Sequence, residues 1–205
     1  RVVYLMLINP PIAWYDSGIY DELAWNLVNG RGYFTADMEF SVKREPGYSL
    51  FLLAPVYLLF GHSIMAVQWV QIVLSILIIV LVYGLGSSVF SKKVGLISSL
   101  MLALYPPSII YTGEIMTENF YTLVLLIATA LFYFGNRDKK KNYIVLAGIA
   151  FGVASLIRIN TVFIPPFLFF ALWLANIPRK KVVIYTMIVA LGITLLVSPW
   201  VIRNY

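Results

Sequence analysis

The sequence predicts an all-α fold: a polytopic membrane helix bundle whose long first outer loop carries interfacial helices. Three observations predict it. Of the 205 residues, 61% are hydrophobic and 12% are charged, whereas an ordinary soluble domain is about half apolar and about one quarter charged. Apolar stretches of spanning or near-spanning length recur six times after residue 63, separated by short polar connectors. No strand-length alternation recurs, and only helices and closed barrels satisfy their backbone in lipid, so helices are the remaining solution. A soluble globule, a disordered tail and a disulfide-stapled secreted module are excluded by the same composition.

Taken in order, residues 1–8 read as the end of a first span cut short, since Val2 to Ile8 falls far below the roughly 20 helical residues that cross a bilayer. Further sequence is expected beyond Tyr205. Residues 9–63 form the one long extramembrane stretch, and long connections in compact bundles are usually functional. Within it, Ile19, Leu23, Leu27 and Val28 repeat near the helical period from Asp16 to Val28, with Ser17 as the candidate N-cap. Asn29-Gly30-Arg31-Gly32 supplies the stop and turn. Gly47 to Phe60, after Pro46, is apolar, uncharged and too short to cross, which predicts an interfacial or re-entrant helix closed by Gly61. The six spans of residues 64–202 are Ile64 to Phe90, Val94 to Tyr111, Ile115 to Phe134, Tyr143 to Ile157, Thr161 to Ile177 and Val182 to Ile202.

Charge sets the expected orientation. Lys92 and Lys93, then Arg137, Lys139, Lys140 and Lys141, then Arg179, Lys180 and Lys181 occupy alternate connectors, nine of the fifteen Lys and Arg. Basic loops stay in the cytoplasm. The opposite side then receives eight of the nine acids: Asp16, Asp21, Glu22, Asp37, Glu39, Glu45, Glu114 and Glu118. The expected location is the cell membrane, multi-pass, with an extracytoplasmic active site. The net charge of +6 is thereby a topology signal, and nucleic acid is excluded as a partner.

The candidate chemistry lies on the outer side. Cys is absent, which removes thiol nucleophiles and thiolate metal sites, and the single His62 excludes a multi-His cage. Asp16 lies at the lipid boundary, where a carboxylate can deprotonate an acceptor hydroxyl or simply answer a helix dipole. Glu114 and Glu118 are expected one turn apart on one face at the outer end of a span. Lys43, Arg44, Arg158 and Arg203 are cations on the side where few are expected; guanidinium groups there suit a phosphate bidentately or anchor to lipid headgroups.

Asp16-Ser17-x-x-Tyr20, Ala24-x-Asn26-Leu27-Val28-x-Gly30-Arg31-Gly32-Tyr33 and Arg44-Glu45-Pro46-Gly47-Tyr48 resemble the first outer loop of polyprenyl-phosphate-sugar-dependent glycosyltransferases. These are the GT-C membrane enzymes related to protein O-mannosyltransferases and the lipid A aminoarabinose transferase. Leu104-Tyr105-Pro106-Pro107, Thr117-Glu118, Leu156-Ile157-Arg158 and Ser198-Pro199-Trp200-Val201-Ile202-Arg203-Asn204-Tyr205 follow in the family's order. The resemblance implies a GT-C-like bundle of which residues 1–205 are the N-terminal part. It makes Asp16 the catalytic base and Arg44 the donor-phosphate contact, and it maps the acid opening the later span onto Glu118 as a second catalytic residue; Tyr20 and the outer cations Lys43, Arg158 and Arg203 are further candidate substrate-binding residues.

The implied reaction moves a sugar from a polyprenyl phosphate to a hydroxyl or amine of a protein, glycan or lipid acceptor, with inversion and with membrane lipids around it. It requires no cofactor, and no metal site is assigned; a divalent ion on Asp16 and Glu118 stays compatible. The rival readings are a transporter or flippase for a lipid-linked or anionic solute, and a non-catalytic membrane scaffold subunit.

Overall fold

The structure, a computed structural model, describes residues 1–8, 15–35 and 44–205. Its elements are α1 (Val2–Ile8), α2 (Tyr15–Val28), a π-helical turn (Ser49–Leu53) leading into α3 (Ala54–Phe60), α4 (Ile64–Val89), α5 (Lys92–Leu104), α6 (Pro106–Ile110), α7 (Glu118–Arg137), α8 (Lys141–Ile157), a 3-10 turn (Ile159–Phe163) leading into α9 (Ile164–Leu174), and α10 (Arg179–Asn204). No strand occurs among the described residues. Three helices, Ile64–Val89, Glu118–Arg137 and Arg179–Asn204, are long and apolar enough to cross a membrane; Ser49–Phe60, Lys141–Ile157 and Ile159–Leu174 are shorter apolar helices. The chain is an all-α membrane helix bundle.

Residues 1–126 and 127–205 form two compact units. In the first, α4 turns its polar side inward. Gln68, Gln71 and Ser75 are buried on one face, while Trp69, Val73, Ile76, Leu77 and Val80 are exposed. A soluble helix does the opposite; here the outward surface suits hydrocarbon. Ser63 caps α4, its hydroxyl accepting from the Ala66 amide at 3.3 Å. Ser91 caps α5 in the same way through Val94 at 3.3 Å. The α4–α5 hairpin closes on glycines: a Cβ on Gly86 would lie 2.9 Å from the Gly95 Cα, and small residues permit such backbone approach.

Several sequence expectations change. The second span breaks at Tyr105, which sits extended at φ −69°, ψ 113° before Pro106. The residue before proline is pushed out of the helical region, and neither Pro106 nor Pro107 offers an amide to continue the ladder. Arg1 bridges the break, donating to Ala103 O at 3.2 Å and to the Ser108 hydroxyl at 3.0 Å. Ser17 is not an N-cap: α2 begins earlier, at Tyr15, and Ser17 is buried inside it. The third span begins at Glu118 rather than Ile115.

In the second unit, α8 packs against α10 through Gly148, Gly152 and Gly192. A Cβ on Gly148 would lie 2.9 Å from Ile188 O, and one on Gly152 would lie 2.6 Å from Gly192 O. α9 starts with Pro165 in its first turn and ends sooner than the apolar run suggests. Asn176 adopts φ 54°, while the Ile177 amide reaches Leu172 O at 3.2 Å and the Asn176 amide reaches Trp173 O at 3.1 Å. This is the Schellman closure, with Asn in the left-handed position usually given to Gly.

Candidate active site

The site is assembled in the first unit from α2, the segment entering the π turn, and the start of α7. Asp16 stands in the first turn of α2, where a carboxylate is favoured by the helix dipole. Tyr20 follows one turn later on the same face. Arg44, twenty-eight positions along the chain, donates its guanidinium to the Asp16 carboxylate. Its charge also lies 5.8 Å from the centre of the Tyr20 ring. The two residues that the resemblance separately implies as base and phosphate contact are thus direct partners.

Local backbone holds Arg44 in place. Tyr33, buried, donates its hydroxyl to the carbonyls of Arg44 at 3.3 Å and Glu45 at 3.0 Å. The Asn26 amide ties α2 to Phe34 O at 2.8 Å. The turn between them uses Gly30 at φ 69°, which other residues reach only at a cost. Ser49 donates to Tyr20 O at 3.1 Å, and the Tyr48 ring meets the Tyr20 ring edge-on at 5.4 Å. The side chain of Arg44 is 27% exposed and that of Asp16 is 39% exposed. An ion pair so open to solvent is worth at most about 1 kcal/mol, so it is poorly explained as a stability device.

Burial raises the Tyr20 phenol above its ordinary pKa, and the Glu45 carboxylate raises it further, while the Arg44 guanidinium opposes both. Tyr20 therefore stays a neutral donor through the physiological range. Tyr48 is fully buried and connects the pair to α7: its phenol feels the charge of Glu118 and lies by the Met116 backbone, and its ring is 6.4 Å from that of Phe120. Glu118 opens α7, whereas Glu114 lies before the helix in a buried loop. The expected Glu114–Glu118 helical face is consequently absent.

The other expected cations are described by their own surroundings. Lys43 lies outside the described residues. Arg158 and Arg203 belong to the second unit: Arg158 is the exposed C-cap of α8, and Arg203, near the end of α10, lies 5.0 Å from the Trp200 ring centre.

Sequence reasoning assigned no role to Tyr33, Tyr48 or Ser49, although the first two stand in the quoted blocks. It also missed a second cluster. His62 Nε2 lies 2.9 and 3.0 Å from the two Asp21 oxygens. Tyr57 donates to the same carboxylate, and Trp25 stacks on His62 at 4.6 Å. These side chains clamp α2 to the α3 end, and their separation along the chain left no local signal of the cluster. Among the described residues no three His, Cys, Asp or Glu side chains gather as a metal centre.

A family model described as dolichyl-phosphate-mannose-protein mannosyltransferase matches residues 44–202. No curated protein and no solved structure matched the chain. The matched segment starts at Arg44 and takes in Tyr48 and Glu118, and the description groups the chain with transferases rather than transporters.

Proposed function

Since this chain belongs to the dolichyl-phosphate-mannose-protein mannosyltransferase family, a glycosyltransferase family of GT-C type, we propose that it transfers a sugar from a polyprenyl-phosphate donor to an acceptor at the outer face of the membrane. The acceptor is a hydroxyl, or an amine, of a protein, glycan or lipid. Asp16 takes the acceptor proton as the oxygen attacks the anomeric carbon, and the C–O bond to the phosphate breaks in line, inverting that centre. Arg44 neutralises the charge gathering on the departing phosphate; guanidinium donors strengthen as that charge builds. Tyr20 contributes a neutral phenol beside both, and Glu118 orients the acceptor. Lys43, Arg158 and Arg203 remain candidate donor contacts in this reading.

The observation that carries the proposal is the Arg44–Asp16 pair, because base and leaving-group cation must lie within one substrate's reach. No cofactor is required: a phosphate leaving group needs little acid help, and Arg44 already supplies the cation beside Asp16. The test is transfer by the whole protein in proteoliposomes from a polyprenyl-phosphate sugar of defined anomeric configuration. The reading expects product of the opposite configuration, formed equally well in EDTA. Retained configuration would remove direct attack, and loss in EDTA with recovery on adding Mg²⁺ would put a divalent ion in the cation's role.

A further inference from the structure

We infer that Gln68 and Gln71 are positioning residues, which fasten the loop of residues 111–117 to α4 and thereby set where Glu118 stands at the head of α7; this rests on the reading of Glu118 as a site residue. The loop is unusual for a connection. Thr112, Glu114, Ile115 and Thr117 are all buried, at 0%, 4%, 0% and 4% exposure. Connections normally run over the surface because a buried one strands its backbone polar groups. Here two glutamine side chains answer them: Gln68 Nε2 donates to Gly113 O at 2.8 Å, and Gln71 Nε2 donates to Glu114 O. Both glutamines are themselves buried, at 5% and 0% exposure.

Their setting shows what they are for. α4 carries no charged residue from Ile64 to Val89, and an amide in such a helix is costly unless bonded. The two amides sit one turn apart and reach successive carbonyls, so they hold the loop at two adjacent points instead of one. The Glu114 carbonyl also accepts from the Met116 amide at 3.0 Å, which passes the anchor on toward Glu118. The Thr117 carbonyl then accepts from Tyr121 at 2.8 Å, starting the α7 ladder. Tyr48, whose phenol lies by the Met116 backbone, leads to Tyr20 and Arg44. A rigid span is in this way the reference against which the second carboxylate is placed.

The experiment is a double-mutant cycle in the full protein, reading initial rates of transfer and donor binding at equal amounts of inserted protein. Gln71→Leu should slow transfer by roughly 10²-fold, the cost of misplacing a reacting group by about 1 Å, with donor binding retained. In the Glu118→Gln background the same substitution should cost less than about twofold, because residues acting as one unit are non-additive. Gln68→Leu, which spares the Glu114 anchor, should show the same dependence at smaller size if Gln71→Leu fails to insert. Ile78→Ala, a buried residue of the same helix whose side chain cannot hydrogen-bond the loop, serves as the packing control, and its effect should multiply with Glu118→Gln. Multiplication for the glutamines as well would overturn the positioning role and leave the proposed reaction standing. A silent Glu118→Gln would overturn both the role of Glu118 and the inference built on it.

Discussion

At the residue scale, Asp16 and Arg44 divide the work and can be separated. Asp16→Asn keeps the size and the bond to Arg44 while removing the basic lone pair. Transfer by the whole protein should fall by roughly 10²–10⁴-fold with donor binding preserved; near-normal transfer would reduce Asp16 to a helix-start charge and revive the scaffold reading. Arg44→Ala should weaken donor binding as well as transfer, and Arg44→Lys should restore them in part, as a point charge lacks the two-pronged geometry. Arg179→Ala, at the exposed start of α10, should alter neither. Isothermal donor titration beside rate measurement checks the set, and an Arg44→Ala protein that titrates like Arg179→Ala would remove the phosphate contact. Tyr33 acts one step back: its hydroxyl donates to the backbone carbonyls of Arg44 and Glu45. Tyr33→Phe removes bonds worth about 0.5–1.5 kcal/mol, so a transfer rate about threefold to tenfold lower is expected.

At the element scale, glycines decide which helices come close. Gly152→Val places a branched side chain where even a Cβ would meet the Gly192 carbonyl at 2.6 Å. Backbone cannot yield as a flexible side chain can, and overpacking of this kind costs about 1–3 kcal/mol or more. The α8–α10 pair should lose thermal stability in detergent, read by a fluorescence melting curve. Gly84→Ala, on α4 with nothing within 4 Å of its Cβ, should leave the curve unchanged or move it slightly upward, since Ala is the better helix former. Equal effects of the two substitutions would refute the close approach. The same scale explains α5 and α6: apolar residues run on from Val94 to Tyr111, yet the Tyr105-Pro106 step interrupts the backbone ladder, and hydropathy alone does not register a missing amide.

At the scale of the whole molecule, the distribution of Lys and Arg predicts which side each connector faces. The chain has no native Cys, so single cysteines report cleanly. An impermeant thiol reagent applied to intact cells should label Arg31→Cys, exposed in the turn after α2, and spare Lys140→Cys, exposed between α7 and α8. The reverse pattern would place the proposed site on the cytoplasmic face and end the outer-leaflet mechanism. In the basic connector, Arg137 bonds Asp138 at 2.8 Å and lies 4.6 Å from the Phe134 ring centre. That guanidinium bond holds the Asp138 carboxyl below its ordinary pKa.

The sequence by itself determined the class of molecule and the approximate location of its apolar helices, though not where several of them begin, break or end. Composition and the length of apolar runs depend on transfer out of water, which each residue feels largely alone. It also determined the family, through blocks such as Arg44-Glu45-Pro46-Gly47-Tyr48, and with it Asp16 and Arg44 as separate candidates. The tertiary structure decided that those two touch, that Tyr33 bonds the backbone of Arg44 and Glu45, and that Asp21 is shared by Tyr57 and His62. These are contacts between residues 11 to 41 positions apart, and no local pattern encodes a partner at that distance. It likewise decided that Glu114 and Glu118 do not share a helix face. Their spacing suits one turn, but the carbonyls of Gly113 and Glu114 are taken by side chains of another helix, so the ladder starts only at Glu118. Periodicity shows where a helix is allowed; competition for each backbone group settles where it begins.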